Sequence, residues 1–270
     1  MTIRKALKYA ADKLKESKLI SNSYNLDALI LLKFVLNRDK VFILSNPEVA
    51  IKESDLNKFN NLINKRKEGY PIAYITHHKE FYGLDFYVDE SVLIPRPETE
   101  LLVDTAIKYS KKFKHPKIVD IGTGSGCVAI TLSILLNSKI FASDISFRAL
   151  KIARKNARHL NAQLEFICSD KLLWLDKGVD IIVSNPPYIK KSDYNNLQKE
   201  TKYEPKNALI ANKNGTAVIG DLIRESKTKC SYLIVEIGYD QEKFVKSFDQ
   251  FKELIYDYSY LPRVAVFDFT

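Results

Sequence analysis

Two short stretches of this chain carry residue types whose spacing points to chemistry. The first is Asp120-Ile121-Gly122-Thr123-Gly124-Ser125-Gly126, set between an apolar strand-like run and a helix-like one. Glycines at a strand end let the backbone approach a ligand closely. The helix amino end that follows offers N–H groups with no partner inside the helix. A P-loop would end in Gly-Lys-Ser/Thr, which is missing, and a dinucleotide fingerprint would need glycine where Cys127 stands. The second stretch is Asn185-Pro186-Pro187-Tyr188. Its prolines fix the backbone and remove two donors, and Pro187 holds Pro186 extended. The turn presents the Asn185 side chain, a bare Pro186 carbonyl and the Tyr188 ring. This suits a planar NH2 group, because two acceptors take its hydrogens and a ring covers its face.

Single acids accompany these turns. Asp144 stands 24 residues after Asp120, at the end of the next strand. Its carboxylate can accept both hydroxyls of a ribose, or cap the following helix, a task Ser146 can share. Asp170 follows a later strand, where ligand contact and plain turn chemistry are both open readings. Three cysteines without a CxxC pair and four histidines without HExxH spacing leave no disulfide framework and no expected metal set.

The elements that must position these groups fall into two patterns. Residues 2–37 read as helices, with apolar positions 7, 10, 11 and 14, then 26, 29, 30 and 34, at three-to-four spacing. A further helix is predicted over 54–68, capped by Ser54 and ended by Gly69 and Pro71. Residues 1–71 thus make a helical bundle. Residues 72–92, rich in Tyr, Phe, Ile and Val, predict a hairpin linker with arms inside 80–88 and its turn at Gly83. From 93 to 270 helices and strands alternate. Helices are expected over 98–113, 127–136, 147–160, 216–227 and 241–251. Strands are expected over 117–121, 139–144, 164–168, 179–184 and 232–237, then near 254–260 and 264–269. Such alternation predicts a parallel sheet covered on both faces. The short link at 261–263 makes the last two strands antiparallel. Trp174 is expected in the core.

The chain has 270 residues, 42 Lys plus Arg against 33 Asp plus Glu, and a formal charge of +9. That excess invites a nucleic-acid reading. The lysines are nevertheless spread along the whole chain rather than clustered, so charge alone defines no patch. No apolar run is long enough to span a bilayer and residues 1–12 hold no secretory h-region, so a soluble protein of a reducing compartment is expected.

The D-x-G-x-G-x-G spacing resembles the first motif of Rossmann-like, class I S-adenosylmethionine-dependent methyltransferases. D/N-P-P-Y/F resembles the catalytic turn of enzymes that methylate exocyclic or amide nitrogen, on adenine or on glutamine, and does not separate the two. The flanking sequence is more specific. Gly69 to Thr76, Glu80-Phe81-Tyr82-Gly83-Leu84, Leu93-Ile94-Pro95-Arg96-Pro97-Glu98-Thr99-Glu100, Tyr203-Glu204-Pro205 and Glu236-Ile237-Gly238 together resemble the release factor glutamine methyltransferase family over essentially the whole chain. The resemblance implies an α/β methyltransferase sheet with a small helical amino-terminal domain. It implies S-adenosylmethionine as cofactor and the glutamine of the Gly-Gly-Gln motif in class 1 peptide chain release factors as substrate. Gly122, Thr123, Gly124, Ser125, Gly126, Asp144, Asp170 and Lys171 would face the cofactor. Asn185 would meet cofactor and target amide, Pro186, Pro187 and Tyr188 would hold the glutamine, and Arg96 would border it. A cytoplasmic monomer that needs neither membrane nor nucleic acid is expected. Two departures stand out: His77 replaces a usual glycine, and Lys171 replaces a residue that is often aromatic.

No histidine lies near either motif, so positioning and electrostatics rather than a strong base are expected to drive transfer. The rival readings are a nucleic-acid adenine or guanine N-methyltransferase, which would have to flip its base from a duplex, and a non-catalytic cofactor-binding scaffold. The bundle is expected to recognise substrate at a distance from the reacting atom.

Overall fold

The computed structural model describes residues 1–17, 19 and 23–270. Of the helical reading over 2–37, positions 18 and 20–22 lie outside the described residues. The chain divides into two compact units, Met1–His77 with Leu197–Tyr203, and His78–Asn196 with Glu204–Thr270. The first unit therefore takes in residues up to 77, while the hairpin strands belong to the second.

In the first unit, α1 (Ile3–Lys15) is capped by Thr2, α2 spans Tyr24–Leu36, and α3 (Lys40–Ser45) is capped by Asp39. Helix α4 spans Glu53–Lys67 and α5 spans Ile72–Thr76. Helix α3 was not legible in advance, since six residues give too little periodicity. Ser54 is not the cap of α4. The cap is Lys52, and Glu53 and Asp55 occupy the first turn, where negative charge suits the helix dipole. The buried stripe of α2 is also rotated from the predicted one. Asp27, Ala28, Leu31 and Leu32 face inward, while Leu26 and Phe34 are exposed. The cause is an ion pair: Arg66 Nε donates to Asp27 Oδ2 at 2.7 Å, and both residues are buried. Arg66 also meets Glu200 at 3.1 Å and the Tyr70 carbonyl at 3.0 Å. A buried charge must be paired, so this pair overrides the apolar pattern of a helix that is hydrophobic nearly all round. His77 takes a left-handed conformation at φ 55° as it ends α5, a backbone region that glycine adopts at least cost.

The second unit opens with β1 (Lys79–Phe81) and β2 (Leu84–Phe86), an antiparallel hairpin whose first arm lies one residue earlier than the expected 80–82 and whose second is shorter than the expected 85–88. A 3-10 turn at Pro97–Thr99 leads into α6 (Glu100–Ser110). Alternation follows: β3 (Ile118–Ile121), α7 (Cys127–Leu136), β4 (Ile140–Asp144), α8 (Phe147–His159), β5 (Leu164–Cys168) and β6 (Val179–Ser184). A long connection carries β7 (Ile189–Lys190), α9 (Lys206–Leu209) and β8 (Ile210–Ala211). It is followed by α10 (Ala217–Ser226), β9 (Cys230–Glu236), α11 (Glu242–Val245), β10 (Phe251–Tyr256) and β11 (Pro262–Asp268). Helix α11 is far shorter than the 241–251 expected.

Seven strands form one sheet in the order β10-β11-β9-β6-β3-β4-β5. The pairs from β9 to β5 are parallel, and β11 inserts antiparallel between β10 and β9. Alternate residues feed two cores. Ile118, Ile140, Ile181, Val183 and Ile234 face one, whereas Val119, Ile121, Ile182, Leu233 and Val235 face the other. Trp174 packs against the second core beside Phe141. Burial on both faces is what a parallel sheet requires.

Arg66→Ala should destabilise the first unit by about 3–5 kcal/mol, because it strands the buried Asp27 carboxylate. Urea unfolding of the full chain measures this, and a loss below about 1 kcal/mol would show that Asp27 finds other solvation.

Candidate functional site

The chain starts the parallel sheet at β3, builds outward through β4 and β5, then crosses to β6 on the other side. The crevice at such a reversal, beyond the carboxyl ends of the strands, is where open α/β sheets hold ligands. Here Ile121, at the end of β3, pairs with Ser184, at the end of β6. Register alone brings the glycine turn and the Asn-Pro-Pro-Tyr turn side by side. A cavity of about 400 Å³ opens between them, within the roughly 300–1,000 Å³ of small-molecule sites.

The glycine turn is tied down from below. The N–H groups of Gly122 and Thr123 both donate to the Ser143 carbonyl, at 2.8 and 2.9 Å, and Gly124 N–H donates to Asp144 Oδ2 at 2.9 Å. Gly126 has φ 84°, and a Cβ there would come within 2.9 Å of Ile130 Cδ1 and 3.1 Å of Ala153 Cβ. Its glycine serves helix packing. Gly122 has φ 73° with nothing within 4 Å of the Cβ position, so the space it leaves faces the cavity. Ser146 caps α8 by accepting from Ala149 N–H. Asp144 is thus spared that task, lines the cavity, and keeps two of its roughly four lone-pair sites after serving Gly124 and Ser146 N–H. Burial raises its pKa.

Asp120, beneath the turn, accepts from Thr123 Oγ1 at 2.7 Å. Burial pushes its pKa up to about 7 against that hydrogen bond, and the Asp144 charge adds to the rise. Thr123, Ser125, Asp170 and Lys171 line the cavity. The Lys171 ammonium turns away to Asp221 at 2.8 Å on α10, a contact that raises its pKa, so only the stem of the side chain is left for the cavity. Apolar walls come from Ile145, Val218 and Leu222.

Asn185, Pro186 and Pro187 line the opposite side, together with Thr99. Asn185 Nδ2 donates to Thr99 Oγ1 at 3.1 Å. Tyr188 and Arg96 lie outside the cavity lining. The Tyr188 ring packs on the second core, and its hydroxyl donates to Glu236 Oε1 at 3.3 Å. Burial raises the Tyr188 pKa strongly. Arg96 is drawn aside because the carboxylate of Glu204, itself buried, needs a cation; Glu204 also accepts from Ile94 N–H at 3.1 Å.

Sequence reasoning missed four supporting side chains. Gln241, buried, accepts from Gly238 N–H and donates to the carbonyls of Gly215 and Tyr188. Asn156, on the inner face of α8, donates to the Ser125 carbonyl at 2.8 Å and exchanges two hydrogen bonds with the Tyr87 backbone. Its signal was a polar residue in the apolar phase of an amphipathic helix. Glu236 sits at 2 % exposure. Burial pushes its pKa up to about 7, opposed by the Thr99 and Tyr188 hydroxyls. An acid ending an otherwise apolar strand was the available signal for Glu236. Thr99 had its place in the Pro-Arg-Pro-Glu-Thr-Glu segment, which carried the family resemblance but assigned it no role.

The Methyltransferase small domain family matches residues 97–219, and the PrmC N-terminal domain family matches residues 5–76. Among solved structures, the hMettl16 catalytic domain superposes with a TM-score of 0.57 at 16% identity, covering 81% of this chain and 83% of its own, a likeness of fold. Fold and site define a class I S-adenosylmethionine-dependent methyltransferase. Release factor glutamine methyltransferases of Buchnera aphidicola subsp. Baizongia pistaciae and of Koribacter versatilis are 40% and 36% identical to the chain. The matches cover 97% and 98% of this chain and 93% and 98% of those proteins. The chain belongs to the release factor glutamine methyltransferase family. The residues present fit the cofactor of that class: open space over Gly122, spare lone pairs on Asp144, and an apolar slot between Ile145 and Leu222.

Gly126→Ala should lower the thermal midpoint by clashing with Ala153. Gly122→Ala should cost only the backbone strain of about 1–2 kcal/mol while weakening S-adenosylmethionine binding in calorimetry. Equal binding by wild type and Gly122→Ala would place the ligand elsewhere. Asp120 and Glu236 bind protons more tightly folded than unfolded, so their stabilising contribution is present at acid pH and lost as pH rises through about 7. The urea midpoint of ligand-free Glu236→Gln should therefore depend less steeply on pH across that range than wild type; identical slopes would show that Glu236 titrates normally.

Proposed function

We propose that this protein transfers a methyl group from S-adenosylmethionine to the side-chain amide nitrogen (N5) of the glutamine in the Gly-Gly-Gln motif of class 1 peptide chain release factors. It would work in the cytoplasm, as a monomer. The observation that carries the reading is the Asn185 amide, turned so that its nitrogen is used by Thr99 and its oxygen is left for a target NH2. Family membership supports glutamine over a nucleobase, since relatives matched over nearly the whole chain are release factor glutamine methyltransferases.

In this proposal the Gly122–Gly126 turn and Asp144 hold the cofactor, Asp144 through the ribose hydroxyls, with Asp170 and the Lys171 stem beside the adenine. When bound, the cofactor supplies an electrophilic methyl on a sulfonium. Asn185 Oδ1 and the Pro186 carbonyl accept the two N–H bonds of the target amide and turn its nitrogen toward that methyl. An amide nitrogen is a poor nucleophile because its lone pair is delocalised. The two oxygens compensate by stabilising the positive charge that grows on nitrogen, in a site already oriented for it. The proton leaves to water afterwards. Pro187 and Tyr188 set the turn, and Arg96 borders it through Glu204.

The helical unit supplies recognition at a distance from the glutamine. A single glutamine offers little surface, whereas stable protein interfaces bury on the order of 800 Å² per partner. Supporting this, the unit exposes apolar side chains at Leu26, Phe34, Val41 and Leu44, which a partner could cover.

Wild type should add one methyl to the glutamine of a release-factor Gly-Gly-Gln peptide, read by mass analysis, and none to a nucleic acid tested in parallel. The reverse pattern would establish the nucleobase reading. Asn185→Ala should lower single-turnover methylation about 10²–10³-fold with the fold intact; a near-normal rate would sink the scheme. Leu26→Lys with Phe34→Lys should raise KM for the intact release factor roughly tenfold, about 1.4 kcal/mol, and leave a short peptide's rate unchanged. Equal effects on both would return the bundle to a structural role.

A further inference from the structure

Lysines and arginines are scattered along the sequence, but the fold gathers several of them on one helix. Helix α8 holds five Lys and Arg and no Asp or Glu. Leu150, Ile152, Ala153 and Asn156 form its buried face. Its exposed positions are Phe147, Arg148, Lys151, Arg154, Lys155, Arg158 and His159. Every exposed side chain of the helix except Phe147 is therefore a base.

Stability alone would not select such a face. Each of the five cations has another three or four residues along the helix, the spacing at which like charges repel. The first turn carries Arg148 and no acid, against the helix dipole. Elsewhere arginine is paired: five of the chain's nine arginines form ion pairs with acids, Arg66 and Arg263 among them. The three arginines and two lysines of α8 form none among the described residues. Asp89 and Glu90 share a hollow with Arg148 and Lys151, so the face is most purely basic from Arg154 onward. The cations lie over rings instead: Lys151 over Phe147 at 5.1 Å, Arg154 over Phe166 at 5.4 Å, and Lys155 over Tyr87. Phe147 is itself 58 % exposed. Cations interleaved with aromatic rings suit single-stranded nucleic acid, whose phosphates follow the charge while its bases stack. An acidic protein surface would match the charge alone.

We propose that the outer face of α8 docks single-stranded RNA, holding its phosphates with Arg154, Lys155 and Arg158 and stacking a base on Phe147. The RNA is a docking partner and not a methyl acceptor. Ser146 and Ala149, at the start of the helix, line the cofactor cavity, whereas none of the exposed bases does. From Arg154 onward they stand more than a turn further along the helix. Methyl transfer to a free peptide therefore does not need this face. The choice of RNA over DNA rests on the reading of a translation factor as substrate, since such a factor works beside RNA.

Fluorescence anisotropy of a labelled oligouridylate of about 12 nucleotides, titrated with the full chain over a range of salt, tests this. Wild type should bind, with affinity falling steeply as salt rises. Arg154→Glu with Arg158→Glu should weaken binding about tenfold or more and reduce the salt slope by about 1.4, the loss of two phosphate contacts to a single strand. Phe147→Ala should weaken it roughly fivefold or more with the slope unchanged. The same charge reversal at Lys40 and Lys58, exposed on the first unit, should cost far less. An equal loss there would reduce the effect to net charge and overturn the proposal. So would no binding of the oligouridylate, tighter binding of the matching DNA strand, or tighter binding of a labelled polyglutamate. Because the α8 substitutions relieve repulsion, the thermal midpoint should be no lower than that of wild type, and the rate on a short Gly-Gly-Gln peptide should be unchanged. A large fall in the midpoint would make the cations structural and contradict the proposal. Methyl transfer into the oligouridylate would instead overturn the glutamine reading, with the variants' affinities still deciding the docking.

Discussion

The parallel register between β3 and β6 is the constraint on which everything else depends. Pairing of Ile121 with Ser184 sets two strand ends level. The chain that leaves one end is a glycine turn, and the chain that leaves the other is a proline-fixed turn. Neither turn could make a site alone. A shift of one residue would swap every side chain of β6 between the two cores, misplacing Ile182 and Val183, both fully buried. Core packing thus locks the geometry of the site at no separate cost, and the two turns can be specialised for ligand and target.

Around that register the protein accumulates buried polar groups that a plain sheet would avoid. Asp120, Glu236, Glu204, Asn156 and Gln241 are all nearly inaccessible. Most of them answer a backbone or side-chain group of one of the two turns or of the segments flanking them. Burying such groups is favourable only when their hydrogen bonds are made. The set is therefore a rigid frame, and its price appears in the raised pKa values of Asp120 and Glu236.

The sheet and both turns were legible because periodicity and turn chemistry are local. Strands such as Val179–Ser184 and the helix Cys127–Leu136 match their expected bounds. What escaped was set by partners distant in sequence. The inward face of α2 was misread because Arg66, 39 residues away, buries Asp27. Nor could local pattern show that Arg96 pairs with Glu204, 108 residues on. Thr99 lies in the Pro-Arg-Pro-Glu-Thr-Glu segment, yet only the fold shows that it meets Asn185. The insertion of β11 between β10 and β9 was equally invisible, since a short link predicts a neighbour and says nothing of the third strand.

The central claim is that Asn185 Oδ1 and the Pro186 carbonyl together hold the two hydrogens of a glutamine amide. A structure of the protein with S-adenosylhomocysteine and a Gly-Gly-Gln peptide tests it most directly. The account predicts the glutamine nitrogen at hydrogen-bond distance, about 2.7–3.2 Å, from both oxygens, with the Asn185 nitrogen still on Thr99. A glutamine bound outside the turn, or an Asn185 amide reversed to present its nitrogen, would contradict it.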